Sequence, residues 1–261
     1  NISESTQKKI LNIAESLGYV NNRNGNDKKK SMKTIGVIVP TLNNPIYSNW
    51  LQEIHKQAQK HDYNIIIANT FRNIALETKS FSILKEKKVD GILVVFNPHI
   101  TDEVRHWGKD IPVVHIADKV NLESVDIVSL DSFKAGEIAA EHLISLGHKH
   151  IAYISTPLDS ISISRANRLK GIKYKLDACN LGNNLIIETE LFEEESLSGD
   201  YEIDIGYRLA KKVLEKHKHI TGIIGVNDMV AIGIINAIRD MNLSIPEDIS
   251  VCGFDNIYFS S

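Results

Sequence analysis

Carboxylate, amide, arginine and aromatic residues follow directly after the apolar runs of this 261-residue chain. Asp131 follows "DIVSL", Asn227 follows "GIIGV" and Asp255 follows "SVCGF". If these runs are parallel strands, the residues after them lie beyond the carboxyl ends of the strands, where α/β folds bind ligands. Charged side chains can bind the hydroxyl groups of a ligand through hydrogen bonds, and aromatic rings can cover the apolar faces of a ligand ring. These residue types therefore suit a small polyhydroxylated ligand. The segments concerned are 41–47, 96–97, 131, 156–168, 227 and 255.

A second interpretation stays open for two of these residues. Asp131 and Asn227 each precede a helix-like stretch, and Asp and Asn are preferred N-cap residues, so either residue could serve as a helix cap. Arg168 is harder to explain as a structural residue, because an arginine in a cleft needs an anionic or hydroxylated partner.

No combination of residues points to catalysis. The chain has neither a glycine-rich phosphate loop nor a G-x-S-x-G elbow, and no acid is paired with a base at a catalytic spacing. Two histidine pairs, in "GHKHI" and "KHKHI", stand beside lysines, whose positive charge opposes a bound metal ion. We therefore expect no enzymatic activity, no cofactor and no metal site.

Nine short β-branched runs alternate with amphipathic stretches from Thr34 onward. Runs that are hydrophobic on both faces and separated by helices indicate parallel sheets covered by helices on each side. A single sheet of nine strands is at the upper limit of size, so we expect two sheets that divide near residues 145–150. The sequence predicts an α/β fold with two doubly wound parallel-sheet subdomains and a cleft between them. The runs are "TIGVIV", "NIIIAN", "DGILVVF", "PVVHIA", "DIVSL", "HIAYIS", "LIIET", "GIIGV" and "DISVCGF".

The stretch before Thr34 predicts a single helix over residues 3–17 and then a polar linker over residues 21–33. Ser3 is a suitable N-cap, and Gly18 is a natural stop. A helix of about 15 residues is marginal alone in water. Because nothing nearby covers its apolar stripe, the helix is expected to be the edge of a small domain whose other helices are absent here.

Charge is distributed unevenly along the chain. Residues 1–34 carry seven basic and three acidic residues, a net charge of +4 in a chain whose total is −3, so the remainder carries −7. A basic arm on an acidic body indicates a polyanionic partner for the arm, although a solvated lysine-rich linker would have the same composition. No apolar run is long enough to span a membrane, no signal peptide is visible, and the two cysteines lack metal or redox spacing. We expect a cytoplasmic protein.

The chain resembles the LacI/GalR family of bacterial transcription regulators. The most specific segments are "AAEHLISLGHKHIAYIS", "NDMVAIG" and "IPEDISVCGFDN", and "ISESTQKKILNIAESLGYV" resembles the end of the family's helix-turn-helix domain. The resemblance implies a periplasmic-binding-protein-like effector domain, a homodimer, operator DNA as a partner and a small sugar effector. It implies four parts: the last DNA-binding helix (1–20), a hinge (21–33), an N-terminal subdomain (34–145), and a C-terminal subdomain (146–261) that lacks its last elements.

Family positions carry over to individual residues of this chain. Ile46 and Tyr47 match a pair that packs on the effector, and Tyr201 matches an aromatic wall. Six further residues match polar positions of the family's cleft. Asn97 is also a candidate for the cleft because it follows a predicted strand. Lys28, Lys29 and Lys30 are expected to make weak contacts with DNA phosphates. The other cleft residues are Asp131, Ser162, Ser164, Arg168, Asn227 and Asp255.

The hinge departs from the family pattern. "VNNRNGNDKKK" has no proline, no Ala-Arg pair, and lysine where the family places a leucine that enters the minor groove. The resemblance implies a ligand-responsive regulator that represses carbohydrate-utilisation genes. An extracytoplasmic sugar-binding protein of a transporter is the alternative, since it shares the two-subdomain fold.

Overall fold

The computed structural model describes residues 33–116, 125–158, 163–190 and 201–260, and these belong almost wholly to one compact unit that begins at Thr34. The predicted helix over residues 3–17, lysines 28–30 and Ser162 lie outside the described residues. None of the helices in the described part of the chain has the length and apolar character needed to cross a membrane.

Five parallel strands form the first sheet. They are β1 (Thr34–Val39), β2 (Asn64–Asn69), β3 (Gly91–Val94), β4 (Val113–Ile116) and β5 (Asp126–Val128), in the order β2-β1-β3-β4-β5. Strand β1 lies between β2 and β3 and is buried on both faces. Ile38 packs with Phe81 in one core, whereas Val37 and Val39 pack with Leu51 in another. This two-sided burial explains why the strand reads as a continuous apolar run.

Four parallel strands form the second sheet. They are β6 (Ile151–Ser155), β7 (Leu185–Thr189), β8 (Gly222–Gly225) and β9 (Ser250–Cys252), in the order β7-β6-β8-β9. All five residues of β6 are fully buried. Each of the nine predicted runs contains one of these strands, and the predicted pair of parallel sheets is confirmed.

Helices connect the strands and cover both sheets. Six of them match the amphipathic stretches in the sequence, whereas the short helix α3 has too few residues for a clear helical period. In the described ranges the helices are α1 (Pro45–Lys60), α2 (Ile74–Glu86), α3 (Thr101–Trp107), α4 (Ser132–Ser145), α5 (Ile163–Ala178), α6 (Tyr201–Lys216) and α7 (Asp228–Asp240).

Helix α4 belongs to the second core rather than to the first. Ala140 and Leu143 of α4 pack in the same cluster as Ile151 and Ile172, and the main helix contact of α4 is with α5. The chain therefore passes from one sheet to the other between β5 and α4. This packing corrects the predicted subdomain boundary at residues 145–146, which placed α4 with the first subdomain.

Glycines allow the helices of the second core to approach closely in pairs. A Cβ atom on Gly136 of α4 would lie 2.0 Å from the carbonyl oxygen of Arg168, and one on Gly171 of α5 would lie 1.9 Å from that of Phe133. Gly206 of α6 and Gly233 of α7 are related in the same way across the second pair. A methyl group at any of these four positions would force the paired helices apart. The backbone of Arg168 is therefore fixed by contact with α4.

Candidate functional site

Arg168 connects three segments at the carboxyl edge of the second sheet. Its Nη1 donates a hydrogen bond to the carbonyl oxygen of Val226, just after β8, and its Nη2 lies 3.6 Å from Oδ1 of Asp255, beyond β9. The guanidinium carbon lies 4.6 Å from the ring centroid of Phe254. The Arg168 and Asp255 side chains are only 16% and 14% exposed. The structure therefore brings this predicted pair together.

The carboxylate of Glu202 joins the strand ends of the two sheets. Glu202 is the second residue of α6, and its Oε1 accepts a hydrogen bond of 2.7 Å from Nδ2 of Asn227, which follows β8. Its Oε2 accepts another of 2.7 Å from Nδ2 of Asn44, which lies between β1 and α1 of the first sheet. A single carboxylate thus spans the cleft between the two halves.

Both asparagines also cap helices. The Oδ1 atom of Asn44 accepts from the backbone N–H of Ile46 at 3.1 Å, and Oδ1 of Asn227 accepts from that of Val230 at 2.9 Å. Each side chain uses its oxygen for the cap and its NH₂ group for Glu202, so capping fixes the direction of the amide donor. The two interpretations of Asn227 are therefore compatible, because the residue caps α7 and lies in the cleft.

Sequence reasoning missed Glu202. An acidic residue in the first turn of a helix is expected from the helix dipole alone, so its type at this position carries no specific signal. Its neighbour Tyr201 was predicted for the cleft and is half-buried at the first residue of α6. That adjacency is the one sequence feature that could have indicated Glu202.

Asp255 is a buried acid with an unusual backbone. Burial raises the pKa of its carboxyl to about 7, an effect that Arg168 opposes and the negative charges of Glu202 and Asp228 reinforce. Its φ angle of 105° lies in the left-handed region that non-glycine residues rarely adopt. Strained backbone and perturbed acids concentrate at functional sites, so Asp255 fits a binding role better than a purely structural one.

Three buried side chains at strand ends have polar atoms without a hydrogen-bond partner in the described part of the chain. They are Oδ1 of Asn97 beyond β3, Oγ of Ser155 at the end of β6, and Oγ1 of Thr156 one residue later. Buried polar groups are nearly always paired, so unpaired groups need an explanation such as a bound ligand or water. Asn97 and Thr156 lie in segments predicted for the site, and Ser155 is a further candidate beside them.

Ile46 and Tyr47 lie in the first turn of α1, beside Asn44. Both side chains are half-buried. The Tyr47 ring packs edge-on against Trp50 with centroids 5.8 Å apart, and its hydroxyl accepts a 3.5 Å hydrogen bond from Arg72. The structure therefore places an aromatic and an aliphatic side chain on the first-sheet side, next to the residue that contacts Glu202.

Other predicted residues are not drawn into this set. Asp131 is exposed, and its Oδ1 accepts a 2.8 Å hydrogen bond from the backbone N–H of Lys134, so its described role is to cap α4. Ser164 is half-buried in the first turn of α5, one turn before Arg168. The hydrogen bond from Lys134 therefore supports the interpretation of Asp131 as a helix cap, whereas its role in binding remains a prediction.

The histidine pairs come together at the start of the second sheet. The rings of His150 and His219 have centroids 4.7 Å apart, and those of His217 and His219 are 5.9 Å apart. In the ranges that the structure covers, no group of three or more His, Cys, Asp or Glu residues is arranged to hold a metal ion.

Two parallel sheets joined by a polar cleft define the class of two-lobed ligand-binding proteins. The chain belongs to the family of periplasmic binding proteins and sugar-binding domains of the LacI family, whose model matches residues 32–259. The family predicted from the sequence and its α/β fold are therefore confirmed.

The relatives of this chain include named transcription regulators. The chain is 32% identical over its full length to catabolite control protein A of Priestia megaterium and covers 76% of that protein. It is 30% identical over 98% of its length to the HTH-type transcriptional regulator DegA of Bacillus subtilis and covers 74% of it.

Solved structures of similar proteins share the fold. A LacI family transcriptional regulator from Enterococcus faecium, solved with bound ribose, is 28% identical with a TM-score of 0.71; the match covers 86% of this chain and 78% of that one. An uncharacterized protein from Actinobacillus succinogenes is 26% identical with a TM-score of 0.76, over 88% and 80% of the two chains.

The Asn44–Glu202 contact predicts an energetic coupling between the two halves. Replacing Glu202 with Ala leaves two amide donors without their acceptor, so we expect the free energy of unfolding to fall by about 1–3 kcal/mol. A double-mutant cycle of Asn44→Ala and Glu202→Ala, measured by urea denaturation, should give a coupling energy of about 0.5–3 kcal/mol. Glu215→Ala, at an exposed position on the same helix, is the control and should change stability by less than about 0.5 kcal/mol. A coupling energy of zero would contradict the contact.

The raised pKa of Asp255 predicts a pH-dependent difference in stability. Because the folded-state pKa of about 7 lies above the usual value of 3.8, the folded protein holds this proton more tightly than the unfolded chain. Stability from this group is therefore full at low pH and lost as the pH rises to 7. We expect Asp255→Asn, which cannot ionise, to gain melting temperature relative to the native protein between pH 4.5 and 7.5. A difference that stays constant across that range would show that Asp255 does not titrate there.

Proposed function

We propose that this protein is a ligand-responsive, DNA-binding transcriptional regulator, a repressor of carbohydrate-utilisation genes, whose cleft binds a small sugar. The observation that carries the proposal is the polar cleft itself, in which Glu202 joins Asn227 of the second half to Asn44 of the first. The pair of Arg168 and Asp255 lies at the carboxyl edge of the second sheet, within the electrostatic influence of Glu202. The names of the relatives support regulation, and the ribose bound to the Enterococcus faecium regulator supports a sugar.

The chemistry of the cleft favours an unphosphorylated sugar. Arg168 offers paired donors, Asp255 and Glu202 offer acceptors, and asparagines offer both, which suits adjacent hydroxyl groups. The half-buried ring of Tyr47 offers an apolar face to a sugar ring. A phosphate group would be repelled by the two carboxylates, since one guanidinium already lies against Asp255.

Effector binding would change DNA binding by changing how the two halves are arranged relative to each other. A ligand that contacts both sides of the cleft stabilises one arrangement of the halves over others, and its effect is limited by the difference in its affinity for them. In a homodimer this change would alter the spacing of two DNA-binding domains. The basic residues 1–34, including lysines 28–30, would contribute phosphate contacts, and the setting would be the cytoplasm, where operator DNA lies.

A second candidate is a sugar-binding protein of a transporter, because the matched family also includes periplasmic binding proteins. The cleft would serve either function. The net charge of +4 on residues 1–34 favours the regulator, since a polyanionic partner explains it.

Thermal melting with a panel of sugars tests the proposal. The panel contains D-ribose, D-glucose and D-galactose, each with its phosphate ester. We expect at least one free sugar to raise the melting temperature and its phosphate to fail. A ligand present at 100 times its Kd adds about 2.7 kcal/mol of stability.

Arg168→Ala should abolish that rise, with an affinity loss of about 2–4 kcal/mol, because it leaves buried acceptors unpaired. Arg208→Ala, which removes an arginine from exposed ion pairs on α6, is the control and should keep the rise. Regulation is tested separately, by the release of promoter DNA from the complete gene product when that sugar is added. Failure of every free sugar would overturn the effector assignment, and DNA binding without any response to a bound sugar would overturn the regulatory one.

A further inference from the structure

The loop after β3 is held at both of its ends by buried ionisable side chains. His115 of β4 and Glu77 of α2 are both 0% exposed, and each makes hydrogen bonds to this loop, which covers residues 96–100. Asn97 lies between the two attachment points. We propose that Glu77 and His115 are positioning residues of the effector site, which hold this loop so that Asn97 can bind the ligand. The inference rests on the proposed function and extends it to two residues outside the cleft.

Glu77 holds one end of the loop with both carboxylate oxygens. Oε2 accepts a 2.8 Å hydrogen bond from the backbone N–H of His99, and Oε1 lies 2.8 Å from the Nδ1 atom of the same residue. A buried carboxylate is costly unless it is hydrogen-bonded, and an apolar residue of similar volume often gives equal or greater stability. What Glu77 provides that an apolar residue cannot is a fixed orientation of His99.

His115 holds the other end through a single hydrogen bond. Its Nε2 lies 2.8 Å from the carbonyl oxygen of Phe96, and because a carbonyl only accepts, Nε2 carries the proton and donates. Burial lowers the pKa of the ring, which favours the neutral form. The strand around it reads Val113, Val114 and Ile116, so an aliphatic residue would continue the apolar run. The His115 ring occupies this position instead, and its hydrogen bond connects β4 to the loop.

The residue between these attachments carries an unused acceptor. The side chain of Asn97 is 9% exposed, and its buried Oδ1 has no hydrogen-bond partner among the residues that the structure describes. Leaving a buried acceptor unpaired costs about 1–3 kcal/mol. A ligand hydroxyl would satisfy this oxygen, provided that the loop cannot move away from the cleft. Two ties from separate elements, one on each side of Asn97, provide that restraint.

Paired substitutions separate positioning from simple packing. At both sites Gln keeps a polar group near the original one: in His115→Gln the amide N–H replaces Nε2–H, and in Glu77→Gln the amide oxygen still accepts from His99. His115→Leu and Glu77→Leu fill the space without these bonds. Glu86→Gln on α2 and His106→Gln on α3, both at exposed positions, are the matched controls.

The experiment measures the affinity for D-ribose and the other free sugars of the panel by calorimetric titration, with a thermal melt of each ligand-free variant. We expect the Leu variants to lose about tenfold or more in affinity, while the Gln variants and the controls stay within about threefold of the native protein. Amide hydrogen exchange should become faster at residues 97–100 in the Leu variants only.

The outcomes are distinct. Leu variants that bind as tightly as the Gln variants would overturn the inference and leave the proposed function intact. An affinity loss that follows the melting temperature equally in Leu and Gln variants would show a structural role instead, and would also overturn it. If the native protein binds none of the free sugars, the proposed function fails first, and the inference fails with it.

Discussion

The carboxylate of Glu202 is the contact on which the arrangement of the cleft depends. It accepts hydrogen bonds from Asn44 of the first half and Asn227 of the second, each at 2.7 Å. Each asparagine also caps the helix that follows it through its side-chain oxygen. Because this cap fixes the orientation of the side chain, it also fixes the direction of the amide donor. A ligand that enters between the halves must therefore accommodate this carboxylate or take its place. This requirement links binding to the relative position of the two sheets.

The charge balance at the second sheet follows from how its helices pack. Gly136 lets α4 lie against the backbone of Arg168, and the guanidinium of Arg168 contacts Asp255 and the end of β8. Arg168 therefore has a structural role beside its proposed binding role, and its removal is expected to lower the stability of the ligand-free protein. The raised pKa of Asp255 shows that one arginine does not fully offset burial and the neighbouring carboxylates. A ligand rich in hydroxyl donors would relieve the same imbalance.

Much of the fold could be predicted from the sequence, because buried parallel strands read as continuous β-branched runs between amphipathic helices. The convergence of Arg168 and Asp255 could also be predicted, since Asp255 follows a strand and Arg168 lies in the segment 156–168 predicted for the same cleft. The contacts of Glu202, Glu77 and His115 could not, because their partners lie far away in sequence. Glu202 and Glu77 also fit the first turns of their helices without a functional role, and a single histidine in an apolar run does not reveal which residue it contacts. The boundary near residue 145 was wrong because helix periodicity does not reveal which sheet a helix covers. Ser162, lysines 28–30 and the hinge remain predictions.

We propose that one sugar binds between the two halves, in contact with both. A crystal structure of the protein grown with D-ribose, or with the free sugar that gives the largest thermal shift, tests it most directly. We expect sugar density within hydrogen-bonding distance of Arg168 or Asp255 on one side and of residues in the first turn of α1 on the other. Density that contacts only one half, or that lies away from the carboxyl edges of both sheets, would contradict this mode of binding.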